Sequence, residues 1–114
     1  MFINQSFAQF FSKKLIMNTF LVTGGNRGIG REIVRQLAQK GKHVILTSRN
    51  KNDGIETIEE LNKEGLQNIV YHQLDVTSDE SVESVKKFIQ NTYPGGIDVL
   101  INNAGYASKG IKFD

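Results

Sequence analysis

Short apolar runs alternate with amphipathic stretches from residue 20 to residue 102. Phe20 to Val22 is a continuous apolar run that ends in glycines, as a buried strand entering a turn requires. Ile29, Ile33, Val34 and Leu37 then recur at spacings of three and four, predicting a helix from about Gly28 to Lys40 that Gly41 stops. His43-Val-Ile-Leu-Thr-Ser48 reads as a second strand. A second helix, from about Asp53 to Glu64, carries Ile55, Ile58 and Leu61 on one face and is followed by Gly65. Ile69 to Leu74 forms a third strand. Thr77 and Glu80 have capping-box spacing ahead of a third helix, at about 78–92, with Val82, Val85, Phe88 and Ile89. Pro94-Gly95-Gly96 ends that helix, and Asp98 to Asn102 is the fourth strand.

Strands joined by helices imply parallel pairing through right-handed crossovers, and so an α/β doubly wound sheet. The expected strand order is 3-2-1-4. The first two helices should cover one face and the third the other, leaving Val99, Leu100 and Ile101 as an open apolar edge through which a second chain can associate. Ligands of such sheets bind beyond the carboxyl ends of the strands. A chain of 114 residues with 39% hydrophobic content allows one small domain, here residues 18–114, and no apolar stretch reaches membrane-spanning length.

Residues 1–17 read as a leader or a mis-assigned start. Residues 1–18 hold four Phe, Lys13 and Lys14, and no acid. Asn4, Gln5, Ser6 and Gln9 interrupt any secretory apolar core. Ile3, Phe7, Phe11 and Leu15 recur every four residues, which suits an organelle-targeting helix over residues 1–16, although arginine is missing. The favoured reading is that Met17 is the true start and the protein is cytoplasmic.

The turn at Thr23-Gly-Gly-Asn-Arg-Gly-Ile-Gly30 carries the first chemistry. Glycines between a strand and a helix let backbone N–H groups and the positive helix end approach a phosphate closely. A triphosphate loop is excluded, because Gly30 is followed by Arg31 and Glu32 rather than Lys-Ser/Thr. The G-x-G-x-x-G fingerprint is also excluded, because Asn26 stands where its second glycine belongs. What remains is T-G-x-x-x-G-x-G, on Thr23, Gly24, Gly28 and Gly30. The competing explanation at this point is a glycine-rich turn with no ligand.

Charge, histidine and cysteine content narrow the chemistry further. With no cysteine there is no disulfide, thiol nucleophile or thiolate metal site. His43 and His72 lie in strands without neighbouring ligand-type residues and read as structural. Residues 1–49 sum to +7 and residues 50–114 to −5. No basic run exceeds two residues, so the basic half suits an anionic cofactor at least as well as nucleic acid, and no nucleic-acid partner is expected.

The second strand ends Thr47-Ser48-Arg49, with no acid between Glu32 and Asp53 to bind ribose hydroxyls. Arg49 offers a 2′-phosphate its forked, permanently charged donors, and Arg27 a second cation. The alternative for both is solvated surface arginine. Asp53 reads as an N-cap. Asp75, in Leu74-Asp-Val-Thr77, sits either near an adenine amino group or in a turn or cap. In Asn102-Asn-Ala-Gly105, amides tie strand ends together while Ala and Gly permit close approach of a cofactor.

The set TGGNRGIG, LDVT and NNAG, in this order, resembles the cofactor half of short-chain dehydrogenases/reductases over about residues 18–106. With ILTSRN it is most similar to the NADPH-dependent, carbonyl-reductase-like branch. The resemblance implies a partial NAD(P)-binding Rossmann domain that takes NADP(H) in preference to NAD(H). By it, Gly24, Asn26, Arg27, Gly28, Ile29 and Gly30 cradle the pyrophosphate, and Arg27 and Arg49 read the 2′-phosphate. Asp75 and Val76 flank the adenine, Asn103, Ala104 and Gly105 lie along the cofactor, and Asn102 stabilises the sheet.

The family's proton-donating tyrosine needs a lysine four residues later to lower a pKa that is otherwise about 10. Tyr71, Tyr93 and Tyr106 are followed at that spacing by Asp75, Ile97 and Gly110, while Lys109 lies only three residues after Tyr106. No catalytic residue is therefore assigned. The expectation is an N-terminal fragment of an oxidoreductase that reduces carbonyls or oxidises alcohols only in a full-length form. The alternative is a stand-alone nucleotide-binding or interaction module without catalysis.

Overall fold

The structure is a computed structural model and describes residues 18–103. Residues 1–17 and the positions Ala104, Gly105, Tyr106 and Lys109 lie outside the described residues. Within them, β1 (Thr19–Val22), β2 (His43–Ser48), β3 (Ile69–Gln73) and β4 (Val99–Ile101) form one parallel sheet. Helices α1 (Gly28–Gln39), α2 (Lys51–Lys63) and α3 (Asp79–Thr92) join them, and the strand order is 3-2-1-4. Leu21 lies between Ile45 and Leu100, and Val22 between Leu46 and Ile101.

Strand alternation sorts the core onto two faces. Val22, Val44 and Leu46 bury against Val34 and Ala38 of α1 and Leu61 of α2. Leu21 and Ile45 bury on the opposite face against Val85 of α3, flanked by Val70, Phe88 and Ile89. Both faces are thus occupied as the apolar pattern predicts.

The corrections concern caps and ends. Asn50, not Asp53, caps α2: its side chain accepts the Asp53 backbone N–H at 3.0 Å, so the helix starts at Lys51 and Asp53 falls in its first turn. Asparagine is a strong N-cap, and an acid inside the first turn complements the helix dipole. Ser78, not Thr77, caps α3 by accepting from Ser81 N at 3.2 Å. Thr77 is instead engaged by Asp75. β3 stops at Gln73, one residue earlier than read, and β4 keeps only the central three of its five expected residues.

At the base of the sheet, His43 Nε2 and Tyr93 Oη are 2.6 Å apart, with the rings tilted at 51°. This pair fastens the end of α3 to the start of β2. His72 packs against Phe88 with ring centroids 4.8 Å apart. Burial lowers the His43 pKa below its ordinary value. The folded chain therefore binds fewer protons at His43 than the unfolded chain, and its stability should decline as pH falls from about 6.5 through that lower value. Denaturant unfolding at pH 7.5 and 5.5 checks this. The wild type should lose stability over the interval, and His43→Phe should lose less.

Among the described residues β4 is an edge strand, and its Val99 is 36% and its Leu100 53% exposed. An open apolar strand presents unpaired backbone groups to any other chain. We expect the chain to self-associate through this edge. Sedimentation would show species larger than a monomer, reduced by Leu100→Lys; a monomer at all accessible concentrations would contradict the expectation.

Candidate functional site

At the carboxyl ends of the strands, the turn after β1 is fastened from three directions. Thr23 N donates to Ile101 O at 3.0 Å, and the Thr23 hydroxyl accepts the Asn103 backbone N–H at 2.9 Å. The Asn103 side-chain amide donates to Gly24 O at 3.1 Å, and Gly25 N to Thr47 O at 3.0 Å. From α2, the buried Thr57 hydroxyl lies 3.0 Å from Asn26 O and 2.9 Å from Asp53 O. The Gly24 and Asn26 carbonyls, which would repel an anion, are thereby turned onto protein donors.

The turn leads straight into α1, whose N-cap residue is Arg27. Its backbone is extended, no side chain caps the helix, and the first turn holds no acid. The first N–H groups of a helix have no partner within it, so this end retains donors and a positive partial charge. Gly24 and Gly28 take φ values of 64° and 59°, which side chains rarely adopt. Gly30 is required for a different reason. A Cβ there would overlap the Gly24 carbonyl and the Asn103 amide, because α1 starts directly against the fastened turn.

A cleft of about 710 Å³ opens in front of this helix end. Gly24, Asn26, Arg27, Gly28 and Ile29 line one side, and Arg49, Asn50 and Asp53 another. Leu74, Val76 and Asn103 complete it. Ile29 is 76% exposed there, a large apolar side chain left uncovered at the cleft. The four arginines of the first half divide between two roles. Arg31 pairs with Glu60 at 2.7 Å, and Arg35 with Glu64 at 3.1 Å, so both serve the α1–α2 contact. Arg27 and Arg49 stand at the cleft.

The structure thus brings together Gly24, Asn26, Arg27, Gly28, Ile29, Arg49, Val76 and Asn103, with Gly30 packed under the turn. Asp75 is not among the lining residues. Its Oδ1 accepts from Thr77 Oγ1 at 2.6 Å and Thr77 N at 3.0 Å, which is the turn role. Those two bonds, and more weakly the charge of Arg49, hold its carboxyl below the usual range. Asn103 ties the strand ends, and Asn102 is exposed. The sequence reading missed Thr57, Asn50, Asp53 and Leu74 as parts of this site. A signal existed for Thr57, a polar residue in helical register with buried Gly54 and Leu61.

Among the described residues, no group of three or more His, Asp or Glu is placed to hold a metal ion. No helix of those residues is long and apolar enough to cross a membrane.

Comparison with known proteins agrees with this geometry. Residues 18–113 match the family profile described as short chain dehydrogenase. The chain is 49% identical over 88 residues to a (+)-neomenthol dehydrogenase of Arabidopsis thaliana, covering 75% of this chain and 29% of that protein. It is 43% identical over 90 residues to carbonyl reductase (NADPH) 1 of Bos taurus, covering 78% and 32%. The solved menthone neomenthol reductase of Mentha piperita superposes with a TM-score of 0.75 at 45% identity, over 79% of this chain and 32% of that one. The chain therefore belongs to the short-chain dehydrogenase/reductase family of oxidoreductases, in the branch that includes carbonyl reductase. It spans under a third of the length of these relatives.

Proposed function

We propose that the cleft binds NADP(H) and that residues 18–114 are the cofactor-binding part of a carbonyl reductase or alcohol dehydrogenase. One observation carries the reading: an uncapped helix end stands at the same cleft as Arg27 and Arg49, with arginine directly after β2. The N–H groups at Gly28–Gly30 suit the pyrophosphate, and Arg49, with Arg27, suits the 2′-phosphate through charge-assisted donors. Val76 and Leu74 supply apolar surface for the adenine, with Asp75 shaping the turn between them and α3. Asn103 holds the turn in place. NADPH, when bound, supplies the hydride. A carbonyl or alcohol substrate is engaged only in a full-length form.

Titrating the chain with adenosine 2′,5′-bisphosphate while following backbone amide resonances tests the site. Residues 24–30, Arg49 and Val76 should shift. Shifts confined elsewhere, or none at millimolar ligand, would refute it. These 114 residues contain no Tyr-x-x-x-Lys. On their own they are therefore expected to bind NADPH without oxidising it, since general acid catalysis alone is worth about 10²–10⁴ in rate. Steady NADPH loss with small ketones, in a preparation free of host reductases, would contradict this.

A further inference from the structure

Arg49 lies in a two-residue bend between the end of β2 and the start of α2, where neither element fixes the backbone by itself. Three consecutive carbonyls are nevertheless held there. Ser48 O accepts from Leu74 N at 2.9 Å and from Tyr71 Oη at 3.2 Å. Asn50 O accepts from Ser48 Oγ at 2.8 Å. Between them, the side-chain amide of Gln73 donates to Arg49 O at 3.0 Å. Gln73 is the last residue of β3 and stands opposite Ser48 in the parallel register. Its amide thus reaches one residue past its partner, to where the strand ladder has ended. Gln73 is itself exposed and is not among the residues lining the cleft.

We propose that Gln73 is a positioning residue for cofactor selection, acting through Arg49. Resting on the NADP(H) reading above, the inference adds a residue outside the cleft to the determinants of NADPH over NADH. Its physical basis is directional. A guanidinium is a planar fork, and two parallel bonds to a phosphate form only when its base points correctly. With Arg49 O fixed, the side chain leaves the bend in one direction. With Gln73 lost, the bend keeps its outer anchors at Ser48 and Asn50, but its middle residue can rotate.

The test uses Gln73→Met, which keeps length and removes the donor, together with Arg49→Ala and the double variant. Each full chain is titrated with NADPH and with NADH. Gln73→Met should weaken NADPH about three- to tenfold, as for a bond that holds a charged contact in place, and leave NADH within about twofold. In the Arg49→Ala background it should change neither, because a residue acting through Arg49 has nothing left to position. Equal weakening of both cofactors would mark a purely structural role and overturn the proposal. Unchanged NADPH binding, or a NADPH loss that persists without Arg49, would overturn it as well. If Arg49→Ala leaves the NADPH preference intact, Arg49 does not read the 2′-phosphate and the proposal fails with that role, while the NADP(H) reading stands on other residues. If Arg49→Ala abolishes the preference and Gln73→Met does not reduce it, the proposal alone fails.

Discussion

Gly30→Ala should weaken dinucleotide binding and the fold together. A single methyl group at this position would overlap the Gly24 carbonyl and the Asn103 amide, neither of which is the free end of a long side chain. Relief requires α1 to move off the turn or Asn103 to release Gly24, and Asn103 is also joined to Thr23. Overpacking costs about 1–3 kcal/mol and a lost hydrogen bond about 0.5–1.5, so about 2–4 kcal/mol is at stake. Against a typical net stability of about 5–15 kcal/mol the variant should still fold, with a lowered denaturation midpoint. If the turn is what relaxes, NADPH affinity should fall by about thirty- to a thousandfold. Wild-type affinity in Gly30→Ala would show that the contact between turn and helix is looser than described.

Arg49→Ala should cost NADPH affinity and spare NADH. A charge-assisted contact contributes about 1.5–3 kcal/mol, hence roughly ten- to a hundredfold. Because Arg49 is exposed and the bend around it is held by carbonyls, truncating its side chain should leave the fold intact. Equal weakening of both cofactors would place Arg49 at a phosphate that they share. No weakening would make it a surface residue. Its interaction with Asp75 offers a second readout, since the Asp75 carboxyl should titrate slightly higher once the arginine charge is gone.

The strand order and the division of helices between two faces were legible because apolar periodicity is a direct consequence of burial. Leu21 and Val22 point to opposite faces for the same reason that neighbouring residues of any strand do. Cap identities were less legible. In Arg49-Asn-Lys-Asn-Asp53 and Asp75-Val-Thr-Ser78 several residues can accept a backbone N–H, and tertiary position chose among them: Asn50 by the bend after β2, Ser78 because Asp75 had engaged Thr77. The glycine turn was legible, but what fastens it was not. Thr57 lies 31 residues from Asn26, and Asn103 lies 79 from Gly24, so neither bond leaves a local pattern. Arg31 and Arg35 show the converse limit. They counted towards a basic half, but the fold pairs Arg31 with Glu60 of α2 and Arg35 with Glu64, the residue that caps its end.

Calorimetric titration of the chain with NADPH and NADH in the same buffer decides whether this cleft selects a 2′-phosphorylated dinucleotide. One site is expected, with NADPH bound about ten- to a hundredfold more tightly and the difference shrinking as salt screens the phosphate. Equal affinities, or tighter binding of NADH, would contradict it.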